Sequence, residues 1–268
     1  MTLKNRPESL ILAEENWERF AQEDPLWAIL VDPTKTQGRW DPQEFLATGR
    51  QEIRVVFDHL QALGFSPNLN GTALDFGCGA GRLTQALGGR FRKAIGVDVS
   101  PTMIKIARDM ARPLPQCEFV LNSAADLAQF PDGSMDFIYS SIVLQHLRPE
   151  LSTAYIAEFM RLLAPQGVCV FQTCDGLRDL RAKLAIRTRL RRLSQRIRGQ
   201  LPGVPTGPVM EMNPLSEAEV RTLLLAHFGR LLDVQLTNSG RANFNGQLQY
   251  LKFRDLRGYV SKQYCVTR

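Results

Sequence analysis

Between a short apolar run and a helix-prone stretch the chain reads Ala73-Leu74-Asp75-Phe76-Gly77-Cys78-Gly79-Ala80-Gly81, with glycine at three alternate positions. Glycine admits positive φ and lets the main chain come close to a ligand, so a turn of this composition suits a polar ligand held on the backbone. The pattern is G-x-G-x-G rather than the G-x-G-x-x-G of the classical dinucleotide folds, and Asp75 stands two residues before its first glycine. Asp98 lies 17 residues after Gly81, at the end of the next apolar run. A carboxylate there can accept two hydrogen bonds from ribose hydroxyls. Taken together, these features favour a nucleoside-bearing ligand over an ordinary tight turn beside an unrelated acid.

Other chemistry-bearing residues are sparse. Gln145 and His146 follow a fourth apolar run, and His146 has the unperturbed pKa of a general base. A structural role at the turn before Pro149 is the competing reading. His59, inside VVFDHLQAL, and His227, at a helix end before Gly229, read as structural. Glu211, flanked by Met210 and Met212, reads as a loop acid within reach of an acceptor or simply solvated. The five cysteines (Cys78, Cys117, Cys169, Cys174, Cys265) are scattered and form no CxxC pair. That pattern fits reduced thiols in a cytoplasmic protein, not a zinc ribbon or a disulfide framework. With three histidines far apart, no metal is expected.

The elements that must position these residues alternate. Thr72–Phe76, Ala94–Val99, Glu118–Leu121, Asp136–Ser140 and Val168–Thr173 read as buried strands. Helices are expected over 81–87, from Pro101 behind the cap Ser100 to about Ala111, over 149–163, and over 216–228 behind the capping pair Ser216 and Glu219. Leu231–Leu236 resumes the sheet. Val260–Val266 is preferred over Leu248–Phe253 as the closing strand. Repeated βα units of this size imply a parallel sheet with helices on both faces and a ligand beyond the strands' carboxyl ends. Residues 1–65 hold all three tryptophans (Trp17, Trp27, Trp40) and read as a helical cap with turns at Asp24-Pro25, Asp32-Pro33 and Asp41-Pro42. The expected organisation is a cap over 1–65, a core over 66–176, a basic helical insert with a Pro/Gly loop over 177–214, and completion of the sheet over 215–268.

Over about residues 72–175 the chain resembles the class I S-adenosylmethionine (SAM)-dependent methyltransferases, in their small-molecule branch. The motifs that carry the resemblance are LDFGCGAGRLT, IGVDVSPTMIKIAR, NSAADLAQFPDGSMDFIYSSIVLQHL and FMRLLAPQGVCVF, in that order. It implies a Rossmann-like, seven-stranded, mostly parallel sheet with its last strand antiparallel. By resemblance, Asp75 and the backbone of Gly77 to Gly79 hold the methionine part of SAM, Asp98 binds the ribose, and Met103 packs on the adenine. Cys78 reads as a small packing residue within that turn, and Gly81, Val99 and Ser140 complete the neighbourhood. Relatives place an acid near the adenine amine where this chain has Ser123. Either Ser123 accepts that hydrogen bond or Asp126 takes it over, with Ala124 contributing backbone. The resemblance also turns Gln145 and His146 toward the acceptor and makes the N-terminal aromatics a lid that excludes water.

Charge separates the function classes. The chain of 268 residues carries 33 Lys and Arg against 27 Asp and Glu, a net +6. Residues 177–200 hold nine arginines and lysines and one acid, or +8, so the rest of the chain is 6 − 8 = −2. This is a slightly acidic protein with one basic element, not a generally basic nucleic-acid binder. At 100° per residue the leucines and isoleucines of that element form two opposed stripes, which implies two short helices or a kink near Ala185. Its arginines suit an anionic acceptor, anionic lipid at a membrane surface, or RNA, or form a plain solvated face. Aromatics interleaved as in single-strand RNA binders are absent between 172 and 227. The fourth strand leads into Ser140-Ser141-Ile142-Val143, not the Asn/Asp-Pro-Pro-aromatic sequence of base-amine methyltransferases. No apolar run reaches the roughly 18 residues of a membrane span. The expectation is methyl transfer from SAM to a small molecule, most simply O-methylation of a metabolite, sugar or lipid-linked compound. An RNA methyltransferase and a non-catalytic SAM-binding protein are the alternatives.

Overall fold

The computed structural model describes residues 6–177, 210–241, 244–255 and 259–268. The basic element and most of the Pro/Gly loop lie outside the described residues. Seven strands form one sheet: β1 (Thr72–Phe76), β2 (Lys93–Asp98), β3 (Cys117–Leu121), β4 (Met135–Ser140), β5 (Leu163–Leu177), β6 (Arg230–Thr237) and β7 (Tyr259–Thr267). Their order is β3-β2-β1-β4-β5-β7-β6. β1 to β5 pair in parallel, and β7 runs antiparallel between β5 and β6. This is the Rossmann-like architecture expected from the sequence. The closing strand is the preferred one: 248–253 yields a single bridge, Thr237 to Tyr250.

The central strands are apolar on both sides because both faces are covered. Ile138 of β4 and Leu74 of β1 face α6 (Pro149–Leu162) and α7 (Glu217–Ala226), meeting Ile156, Phe159 and Leu224. Phe137 and Tyr139 point the other way, with Ile53, Val56 and Leu60 of α3 (Pro42–Ala62) and Leu83 and Leu87 of α4 (Arg82–Gly88). The helix α5 (Pro101–Met110) packs Ile104 and Ala107 on Phe119 of β3. Local chemistry starts these helices. Asp41 and Ser100 each accept the backbone N–H three residues on, with proline next in the chain, and Ser216 and Glu219 form a reciprocal capping box.

One strand departs from the sequence reading at both ends: β5 opens at Leu163, which pairs with Met135 before a register shift, rather than at Val168, and closes at Leu177 rather than Thr173. Within the described residues before β1, α3 packs on the sheet, whereas α1 (Glu8–Glu23) and α2 (Pro25–Ile29) reach the ligand side.

Candidate active site

The carboxyl ends of the parallel strands open into a cavity of about 1070 Å³, room for two small molecules side by side. Gly77, Cys78, Gly79, Asp98, Val99 and Met103 meet along one part of its wall. The remaining donor residues expected from the sequence stand off it. Asp75 is buried behind the glycine turn, where its Oδ2 accepts the Thr84 hydroxyl at 2.6 Å and its Oδ1 has no partner. Burial pushes its carboxyl up to about 7, against the opposing pull of Thr84 and Arg82. Gly81 begins α4 at φ +83°, where a Cβ would lie 2.8 Å from the Phe119 ring. Ser140 donates its hydroxyl to the Phe76 carbonyl at 3.2 Å, tying β4 to β1. Ser123, Ala124 and Asp126 lie in the loop after β3. Asn122 braces that loop by donating to the carbonyls of Ala124 and Asp126, and Tyr155 donates to Ala124 at 2.6 Å. Asn122 and Tyr155 themselves border the cavity. Neither was legible beforehand, although Asn122 is the immediate neighbour of Ser123.

The glycine turn and Asp98 form a cradle. Gly77 and Gly79 adopt φ of +74° and +50°. A Cβ on Gly77 would lie 2.3 Å from Val143 Cγ2, and one on Gly79 2.5 Å from Ile29 Cδ1. Val143 and Ile29 are both cavity residues, so side chains there would fill the space left for a ligand. Asp98 Oδ2 accepts the Gly79 N–H at 2.8 Å and Oδ1 the Ser100 N–H at 2.9 Å. A carboxylate has about four acceptor positions, and with the Val99 N–H also against it Asp98 still keeps room for a ligand hydroxyl. Burial raises the Asp98 carboxyl above its ordinary range, while the N–H groups of Ser100 and Gly79 oppose the shift.

Beyond β4 the wall changes character. Ile142 takes φ +54°, costly for a β-branched residue, with its N–H held by Gln172 Oε1 at 3.2 Å. Gln172 donates to Gln145 Oε1 at 3.2 Å, and Gln145 Nε2 lies 3.2 Å from His146 Nε2. His146 Nδ1 is 2.7 Å from the Glu211 carbonyl. A carbonyl only accepts, so Nδ1 carries the hydrogen and the Nε2 lone pair accepts from the Gln145 amide. Burial lowers the imidazole pKa, with the Glu211 hydrogen bond opposing it. Glu211 thus meets His146 through its main chain. His59 binds Asp233 at 2.8 Å, and neither residue borders the cavity.

The helix α1 lies against the same space. Trp17 borders the cavity and packs edge-on against His146, with ring centroids 5.3 Å apart. Glu18 takes the hydroxyls of Ser100 and Thr102 and the Thr102 N–H, pinning α1 to the start of α5. Trp27 and Trp40 instead donate to the carbonyls of Asp32 and Leu30. Of the three tryptophans, Trp17 alone borders the cavity.

Residues 74–171 match the family model described as a methyltransferase domain. The chain is 35% identical over 136 residues to trans-aconitate 2-methyltransferase of Azoarcus sp. (strain BH72), covering 50% of each chain. It is 29% identical over 170 residues to malonyl-[acyl-carrier protein] O-methyltransferase of Methylovorus sp. (strain MP688), covering 58% of this chain and 55% of that one. The chain therefore spans about half the length of these curated relatives. Magnesium protoporphyrin IX methyltransferase from Synechocystis PCC 6803, solved with bound SAM, superimposes over 100% of both chains with a TM-score of 0.57 at 17% identity. The matched stretch and the strand order define the class of that part of the chain: residues 74–171 carry a methyltransferase domain. Among the described residues no helix is long and apolar enough to cross a membrane.

Proposed function

We propose that this protein transfers a methyl group from SAM to an oxygen of a small-molecule acceptor. The observation that carries the reading is a single cavity bordered both by the glycine cradle with Asp98 and by His146. In this reading the backbone of Gly77 and Gly79 carries the amino-acid end of SAM, Asp98 takes the ribose hydroxyls, and Met103, Val99 and Asn122 flank the adenine. Asp75 acts from behind, by fixing the turn through Thr84. SAM supplies a sulfonium-activated, electrophilic methyl group, so the protein's task is chiefly to align the acceptor and exclude water. Trp17 and α1 serve the exclusion, and His146 Nε2 takes a hydroxyl proton when that hydroxyl displaces the Gln145 amide. The relatives named for trans-aconitate and the malonyl group support an acceptor bearing an oxygen nucleophile.

Two measurements test the proposal. Asp98→Ala should weaken SAM binding by about 1–3 kcal/mol in calorimetry, the scale of charge-assisted hydrogen bonds; unchanged affinity removes the ribose assignment. SAM with a labelled methyl group, incubated with the protein and fractionated cell extract, should place label in the small-molecule pool. Label in RNA would replace this reading with a nucleic-acid methyltransferase.

A further inference from the structure

After β6 the chain turns through Asn238 to Arg241, and that turn is tightly fixed. Arg241 donates its N–H to the Asn238 carbonyl at 3.0 Å, while the Asn238 side chain bonds the main chain of Gln247 and Gln249 at 2.9 Å each. Gly240 lies so close to β7 that a Cβ would be 2.9 Å from the Tyr259 carbonyl. Arg241 is thereby held on the cavity wall, near Phe244 and Tyr259. Its guanidinium is only partly partnered among the described residues. One terminal nitrogen donates to the Asp255 main-chain carbonyl at 3.0 Å, and Nε is shielded from water with no acceptor. Among the described residues no carboxylate pairs with it, whereas Arg82, the other arginine on the wall, is paired with Glu52 at 2.8 Å.

A guanidinium presents N–H groups in a planar fork that matches two carboxylate oxygens, and shielded surroundings strengthen the pair. A dianionic phosphate is more fully matched by several cations, and among the described residues Arg241 is the one unpaired cation on this wall. We propose that Arg241 is the specificity-determining residue for the acceptor and anchors it by a carboxylate. The inference rests on the methyltransferase reading above. In it, the carboxylate is the handle that turns the acceptor's oxygen toward the methyl donor.

The test follows the arginine Nε–H resonances of the full chain saturated with S-adenosylhomocysteine, with the Arg241 signal assigned by its loss in Arg241→Lys. The probes are succinate, glutarate and benzoate, each beside its amide, and methyl phosphate. The Arg241 signal should shift saturably with at least one carboxylate and stay in place with the amides and the phosphate. Calorimetry of that carboxylate should show binding at least about tenfold weaker in Arg241→Gln. A signal indifferent to all three carboxylates, an equal response to an amide or to methyl phosphate, or undiminished affinity in Arg241→Gln each overturns the assignment. Failure of the unaltered chain to bind S-adenosylhomocysteine overturns the methyltransferase reading and the assignment with it. A chain that binds S-adenosylhomocysteine but ignores carboxylates overturns the assignment alone.

Discussion

His146 shows how one side chain's surroundings decide its chemistry. Its hydrogen bond to the Glu211 carbonyl fixes the tautomer, and burial holds its pKa below the usual 6.5. The ring therefore stays neutral at pH 7, and its Nε2 lone pair, held by the Gln145 amide, serves as a base once an acceptor hydroxyl displaces that amide. His146→Ala should slow methyl transfer at least about a hundredfold and remove an acidic limb lying below pH 6.5 from the pH–rate profile. A near-native rate with the same acceptor would return the residue to a structural role. For stability the sign is that of a depressed pKa. The contribution of the ring is fully present above its unfolded pKa and is lost as pH falls through the folded one.

At the scale of elements, the join between α3 and α4 rests on a buried ion pair. Arg82 and Glu52 are 2% and 0% exposed and lie 2.8 Å apart, and Glu52 also accepts the Tyr139 hydroxyl at 2.8 Å. Glu52 occupies the buried stripe of α3 with Phe45, Gly49, Val56 and Leu60, so its carboxylate has no water to turn to. Gly49 admits the approach, since a Cβ there would meet the Arg82 carbonyl at 2.3 Å. Glu52→Gln should cost about 3–5 kcal/mol in chemical denaturation, because it strands a buried guanidinium. Replacing both partners by apolar residues of similar volume should recover much of that loss. A single variant with native stability would show that the pair carries no net weight.

For the molecule as a whole, stability should carry the signature of Asp75. Its carboxyl titrates near 7 in the folded chain against an ordinary 3.8, so between those values the folded state holds a proton that the unfolded state has lost. Stability therefore falls as pH rises from about 4 to 7. Asp75→Asn cannot ionise and lacks that slope. Its stability relative to the unaltered chain should rise by about 2 kcal/mol between pH 5 and 7.5, measured from denaturation curves at both. A constant difference would mean that Asp75 is ionised throughout. The other molecular-scale feature, the +8 carried by residues 177–200 against −2 elsewhere, is a property of the chain read from its sequence alone.

The amino-acid sequence by itself determined the alternation of strands and helices, the glycine turn, and Asp98 at the end of β2. These features are local. Apolar runs, caps such as Ser100 and Ser216, and glycine at positive φ act within a few residues, so they are legible without knowledge of the rest of the chain. Only the tertiary structure decided that Asp75 stands behind the turn, that Asn122 rather than Ser123 borders the cavity, and that Trp17 is the tryptophan that meets His146. It also brought Arg241, from a loop without a motif, to the same wall as the glycine cradle, because β6 and β5 both run antiparallel to β7 and so end at the same edge of the sheet. Glu52 left a visible trace as an acid on an apolar stripe, but its partner could not be read from that trace. Burial, pairing and pKa depend on residues far apart in the chain, and packing is what brings them together.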